Sequence, residues 1–398
     1  MSIPVKTLRA ETPFGAEPGP QAVHLGGPLA EHNVNAKNRR EAETRVKNSG
    51  FPGKMIVNLR RLNFESDRTE LVATLQRLLS PQIDESKARW LYRDSPLGAA
   101  RAWVACDSAS GQIVGCAASF PRKFWIRGEE KLGLVLGDFC MDQRYRSLGP
   151  SLQLQRACLE DANLAPFEFC YDFPSQSMMA VYKRLGVNQC GTLVRWAKPL
   201  RSERKLETLM GANWITRQIA SGANVALRMR GWKGRVAACA IGPLEGPCGS
   251  EFTALDEQLR NLPGVRGVGD ADFLNWRFLA FPGEPHEILT ARRSGKLIGF
   301  VVFSTDLNDT CILDLRSIEE PDVIARLLGQ AVERLRLRGA SSVNLNAGDN
   351  HPWQSIFHRA GFRPRETTPV VVHVHPGSKI SVEIFRSGWY LMRGDRDS

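Results

Sequence analysis

The chain has 398 residues, a length that sets an expectation of two or three domains, each able to bury a core. Its residues are 42% hydrophobic and 24% charged, and no apolar run approaches the ~20 residues that cross a bilayer, so a soluble globular protein is expected. The net charge of +11 predicts a surface that attracts anions, and nine cysteines without a Cys-x-x-Cys pair read as buried thiols rather than a disulfide framework or a zinc site.

Residues 1–54 scatter Pro, Gly, Asn and charge without periodicity and read as a disordered N-terminal segment; no cationic start followed by an apolar stretch suggests an export signal, so the expected location is cytoplasmic. Met55-Ile56-Val57 reads as a short strand, followed by a helix over about 67–79. Trp90-Leu91-Tyr92 with Pro96 comes next, then a strand at Gln112-Ile113-Val114-Gly115. An apolar strand from Leu134 to Met141 then breaks at Arg146-Ser147-Leu148-Gly149-Pro150-Ser151, and a helical run follows from Leu152 to Leu159. Such a break presents unpaired backbone N–H groups at the positive end of a helix dipole, which suits a phosphate. Further on, Asp172-Phe173-Pro174-Ser175 precedes a helix over Ser177 to Leu185, with Tyr182 four residues before Gly186 and Val187 after it.

Over residues 55–200 this order resembles the GNAT superfamily of N-acetyltransferases. Arg146 and Gly149 fall on the family's phosphate loop, Gln/Arg-x-x-Gly-x-Gly/Ala; Ser151 stands where Gly or Ala is usual, Pro150 supplies no N–H, and Val187 replaces the usual Phe. Tyr182 and Gly186 fall on the family's Tyr-x-x-x-Gly. The fold implied is a mixed α/β sheet with an acyl-CoA cleft.

Residues 201–250 read as a linker with irregular elements, and basic residues gather at 195–205 and 228–235. Neither run is rich in stacking aromatics and no nucleic-acid motif accompanies them; this argues against a nucleic-acid partner and leaves an anionic membrane face as the sharper alternative to a solvated surface. Residues 251–398 then repeat the landmarks of the first half. Trp276-Arg277-Phe278 with Pro282 echoes Trp90-Leu91-Tyr92 with Pro96, Gly299 echoes Gly115, and Phe357-His358-Arg359-Ala360-Gly361 echoes Tyr182-Lys183-Arg184-Leu185-Gly186. After the strand Cys311 to Leu315, however, Arg316-Ser317-Ile318-Glu319-Glu320-Pro321 replaces the glycine turn, and Phe357 lacks a hydroxyl. Two tandem GNAT-like domains are expected, the second a degenerate copy without cofactor binding.

Transfer of an acyl group from a thioester to an amine needs a neutral amine, stabilisation of the carbonyl oxygen and a proton for the leaving thiolate. By the resemblance, backbone N–H groups of Phe139, Cys140 and Met141 face the acyl group and the pantetheine arm, while Arg146, Ser147, Leu148, Gly149 and Ser151 hold the diphosphate of acetyl-CoA or another acyl-CoA. Arg144 and Lys183 are candidates for the adenosine phosphates. Tyr182 is the candidate proton donor, since a phenol stays protonated at neutral pH. By period two Asp138 shares a strand face with Leu134 and Leu136, where a lone acid must be paired or working; it is the candidate base, with Asp172 second. Cys140 reads as a packing residue, and His373 and His375 share a face without a third ligand, so no metal is expected. The acceptor implied is a small-molecule amine, an amino sugar or cell-envelope precursor by family analogy. Two alternatives stand: a non-catalytic acyl-CoA sensor or scaffold, and an aminoacyl-tRNA-dependent transferase of the peptidoglycan-bridge type.

Overall fold

A computed structural model of the protein describes residues 57–146, 148–201, 239–307, 309–318 and 321–396. The expectations for residues 1–54, for Ser147, for the basic run 228–235 and for the pair Glu319 and Glu320 lie outside them.

The first half runs β1 (Val57–Arg61), α1 (Phe64–Leu78), α2 (Glu85–Tyr92), β2 (Arg101–Asp107), β3 (Ile113–Ile126), β4 (Glu129–Met141), α3 (Leu148–Ala162), β5 (Phe169–Asp172), α4 (Gln176–Arg184) and β6 (Gln189–Pro199). Local chemistry sets its helix starts: Asn63 accepts from the Glu65 N–H, Asp84 from Lys87 and Ser175 from Met178, each a side-chain cap on an otherwise orphaned donor. The second half repeats the series as β7 (Ala240–Pro243), α5 (Ser250–Leu259), β8 (Val265–Gly267), α6 (Ala271–Leu274) with a π turn to Leu279, β9 (His286–Arg293), β10 (Lys296–Ser304), β11 (Cys311–Ser317), α7 (Asp322–Leu337), β12 (Ser342–Gly348), α8 (Gln354–Arg359) and β13 (Arg363–Val374). Among the described residues only β8 is additional within this series. Residues 240–243, placed by the sequence in an irregular linker, form β7 and pair with β9.

The strands form one sheet in the order β1-β2-β3-β4-β5-β13-β6-β12-β11-β10-β9-β7, with β8 paired to β3. All neighbours are antiparallel except β4 with β5 and β11 with β12. The two halves exchange their last strands. β13 lies between β5 and β6, matching Asp172 to Val371 on one side and Gly191 to Val370 on the other, while β6 passes on to pair with β12 from Leu193↔Gly348 to Pro199↔Ser342.

The repeated tryptophans meet at the centre of this symmetry. The indole N–H of Trp90 donates to the Trp276 carbonyl (2.9 Å), that of Trp276 donates to the Trp90 carbonyl (3.1 Å), and the rings stack with centroids 5.0 Å apart. The repeated glycines also share an environment: Gly115 opposes Met141 and Gly299 opposes Ser317, and a Cβ at either would lie within 2.9 Å of a neighbouring strand's carbonyl oxygen. Helices α3 and α4 cover one face of the first half and α7 and α8 the corresponding face of the second. The opposite face is a single aromatic-rich core shared by both halves.

A second tie crosses the halves. The buried Asp256 accepts from the Trp125 indole (2.6 Å) and pairs with Arg316 (2.8 Å), whose guanidinium also reaches Asp314 (3.0 Å). A residue of the replaced glycine turn is thus consumed in buried ion pairs.

Candidate active site

The site starts from an irregularity in β4. Cys116 pairs with Cys140 and Ala118 with Gly137, so two residues of β4, Asp138 and Phe139, oppose the single Ala117. Asp138 has φ +49°, a left-handed conformation that costs a non-glycine residue about 1–2 kcal/mol. This bulge overturns the period-two placement of the acid. Leu134, Leu136 and Phe139 pack toward α3 and α4, whereas Asp138 points to the shared core, where its carboxylate accepts a hydrogen bond from Tyr92 Oη at 2.8 Å.

Tyr92 is buried, stacked on Phe64 with centroids 5.8 Å apart and edge-on to Phe120 at 5.4 Å. Burial, with the Asp138 charge beside it, pushes its phenol well above the ordinary value, so the proton stays on Tyr92 and the hydrogen bond has one direction. Cys140 faces Cys116 across the strands, and burial raises its thiol to about 12; it is a packing residue with an inert sulfur.

β4 and β5 pair only from Gly133↔Phe169 to Val135↔Tyr171. Beyond Val135, β4 continues to Met141 with no strand on its β5 side among the described residues. That open edge includes Phe139, Cys140 and Met141, the expected acyl-facing donors. It ends at a turn rich in guanidinium groups. Asp142 accepts from the Arg144 N–H and is held by Arg77 (2.5 Å) and Arg144 (3.2 Å), which together hold its carboxyl well below the usual range. Arg146 is exposed and reaches the Met141 carbonyl at 3.3 Å. Tyr145 ties the turn to β2 through Asp107 (2.8 Å).

Leu148 and Gly149 open α3, and a Cβ at Gly149 would meet nothing within 4 Å, so the backbone there is approachable. Ser151 is buried. Three arginines against the carboxylates of Asp142 and Asp107, an open strand edge and an accessible helix start suit a diphosphate with an extended arm, the chemistry of acyl-CoA. Arg77 and Tyr92 were missed as site residues by sequence reasoning. The first is one arginine among many at a helix end, and the second served only as a marker of the repeat.

Tyr182, on α4, is fully buried in the core that α3 and α4 form with the sheet. Its hydroxyl donates to Asp172 Oδ2 (2.6 Å) and accepts from Gln155 Nε2 (2.8 Å). Asp172 Oδ1 also accepts from the Phe173 N–H, and burial raises its carboxyl to about 6. The sequence pattern aims this phenol at a leaving sulfur, whereas in the structure its proton is directed to Asp172.

The corresponding opening in the second half is filled. β11 and β12 pair only at Cys311↔Asn344 and Ile312↔Leu345, and beyond that point the C-terminal segment enters between them. Met392 bridges to Ala347, the Gly348 N–H donates to the Leu391 carbonyl (3.1 Å), and a Cβ at Gly394 would lie 3.1 Å from the Leu313 carbonyl. The chain's own residues 391–394 thus take the place that in the first half is an open edge. Phe357, at the position of Tyr182, is buried.

His373 is bonded to Asn163 (2.9 Å) and His375 to the Gly377 N–H (2.8 Å). Among the described residues no group of three or more His, Cys, Asp or Glu side chains is arranged to hold a metal, and no helix is long and apolar enough to cross a membrane.

No protein-family model and no curated protein matches this chain. Solved structures do. A conserved protein from Enterococcus faecalis V583, described as a probable N-acyltransferase, superposes with a TM-score of 0.57 at 10% identity, over 83% of this chain and 74% of that one. A GCN5-related N-acetyltransferase from Anabaena variabilis gives 0.57 at 12% identity, over 80% and 73%. The N-myristoyltransferase of Saccharomyces cerevisiae with bound myristoyl-CoA gives 0.53 at 9% identity, over 81% and 84%.

Proposed function

From a chain that carries the GNAT fold in two linked halves, we propose an acyl-CoA-dependent N-acyltransferase whose single working site is the β4–β5 opening of the first half. One observation carries the reading: the first half leaves the edge of β4 open from Val135 to an arginine-bearing turn and a helix start, while the second half closes the same edge with its own chain. An acyl-CoA would supply the activated thioester; the chain's residues do the rest.

In this reading Arg77, Arg144, Arg146 and the backbone at Ser147, Leu148, Gly149 and Ser151 hold the phosphates. The β4 backbone over Phe139, Cys140 and Met141 aligns the extended arm and faces the carbonyl oxygen. Asp138 takes the amine proton. Tyr182 gives a proton to the sulfur, a role that requires its hydrogen bond to Asp172 to be exchanged for one to the leaving group. The acceptor is a primary amine of a small molecule, an amino sugar or cell-envelope precursor in the first instance, and the acyl group is acetyl or longer.

The inward-directed Tyr182 hydroxyl favours a second reading, a protein that binds acyl-CoA without turning it over. Calorimetry with acetyl-CoA and a longer acyl-CoA, followed by CoA release with a panel of amines, separates the two. The enzyme gives binding and release, with turnover lost in Tyr182→Phe while binding stays; the non-catalytic protein gives binding alone. Gly149→Val should weaken binding about tenfold or more by narrowing the approach to the phosphate turn, and normal binding in that variant would sink the site assignment.

A further inference from the structure

We infer that Tyr92, on a helix outside both family motifs, is the positioning residue for Asp138, fixing the carboxylate that takes the amine proton. The inference rests on the acyltransfer reading above and adds a residue to it.

Asp138 stands at a bulge in a left-handed conformation, and the surroundings must hold it there. The Tyr92 hydroxyl meets its Oδ2 at 2.8 Å and can act only as donor, because the buried phenol keeps its proton. The ring itself is clamped by Phe64 on one face and by Phe120 edge-on, so the hydroxyl has little freedom to wander. A carboxylate held this way keeps one oxygen on the phenol and one orientation relative to the open edge of β4.

Among the described residues, the titratable groups seen to act with Asp138 come from three elements. Tyr92 comes from α2, Cys116 from β3 and Cys140 from β4 itself, while Arg77 of α1 and Arg146 of the turn act on Cys140 from farther off. Both thiols are raised by burial and stay neutral. Tyr92 donates directly to the carboxylate, so its removal should move the titration of Asp138. A hydrogen bond donated to a carboxylate favours its charged form, so loss of the donor raises the pKa.

The test uses the full chain and Tyr92→Phe, which keeps the ring and its packing. With acyl-CoA and the best amine of the panel, the rising limb of kcat/KM against pH should move up by about one pH unit, the equivalent of one modest hydrogen bond. The limiting kcat should fall, while acetyl-CoA affinity by calorimetry stays within about twofold of the parent. A carboxyl-carbon NMR titration, with the Asp138 resonance assigned by its absence in Asp138→Asn, should show the same upward shift without any acceptor present. Should Tyr92→Phe fail to fold, ring-fluorinated tyrosine in the parent chain strengthens the donor and should move the resonance down instead. An Asp138 resonance and a kcat/KM limb that stay where they were would overturn the positioning role. A parent chain that transfers to no amine would overturn the acyltransfer reading, and with it Tyr92's part in catalysis, even where the resonance moves.

Discussion

Tyr182, Asp172 and Gln155 form a closed set of side chains in which the phenol uses both its donor and an acceptor site. Tyr182→Phe strips a partner from each of two buried polar groups, an expected cost of about 1–3 kcal/mol in chemical unfolding, separate from any effect on turnover. The carboxyl in this set also ties stability to pH. Burial raises the Asp172 carboxyl to about 6 in the folded chain from an ordinary value of 3.8, so the folded state holds the proton more tightly than the unfolded one. Its contribution is therefore fully present below pH 3.8 and is lost as pH rises to and through 6, amounting to about 3 kcal/mol. The parent should lose that much relative to Asp172→Asn between acidic and neutral pH, and a difference that does not change with pH would contradict the burial of this acid. Sequence reading picked out Asp138, Asp172 and Tyr182 as candidate polar groups, but it could not orient them. A single extra residue in β4 turned Asp138 to the other face, and the partners Tyr92 and Gln155 lie 46 residues from Asp138 and 27 from Tyr182 along the chain, distances that no local pattern encodes.

At the scale of elements, the two strand openings are alike in origin and opposite in content. The strand–turn–helix order around 141–152, the helix carrying Tyr182 and the tandem landmarks were all legible, because glycines needed for close approach and paired tryptophans leave marks in sequence. The filling of the second opening was not, since residues 391–394 carry no strand-like alternation and are placed by contacts to β11 and β12 that form only in the folded chain. Two glycines test the contrast. A side chain at Gly394 would meet the Phe278 ring at 2.9 Å and the Leu313 carbonyl at 3.1 Å, whereas one at Gly149 meets nothing within 4 Å. Gly394→Val should lower the melting temperature by several degrees and speed exchange of the Gly348 amide, as expected for overpacking worth about 1–3 kcal/mol; Gly149→Val should leave both unchanged.

Across the whole molecule, the strand exchange means that neither half is complete by itself. The first half without β13 would leave β5 and β6 with no neighbour between them, and the second without β6 would expose β12. Fragments made by cutting between residues 202 and 238 are therefore expected to aggregate when expressed singly and to copurify one-to-one when expressed together. Recovery of either as a soluble, folded monomer would contradict the topology. Denaturant unfolding of the intact chain should likewise show one transition rather than two, because the Trp90–Trp276 pair, the Trp125–Asp256 hydrogen bond and the exchanged strands all join the halves.

The same trade of strands would let two copies of a chain half this long close into a dimer, each lending its last strand to the other.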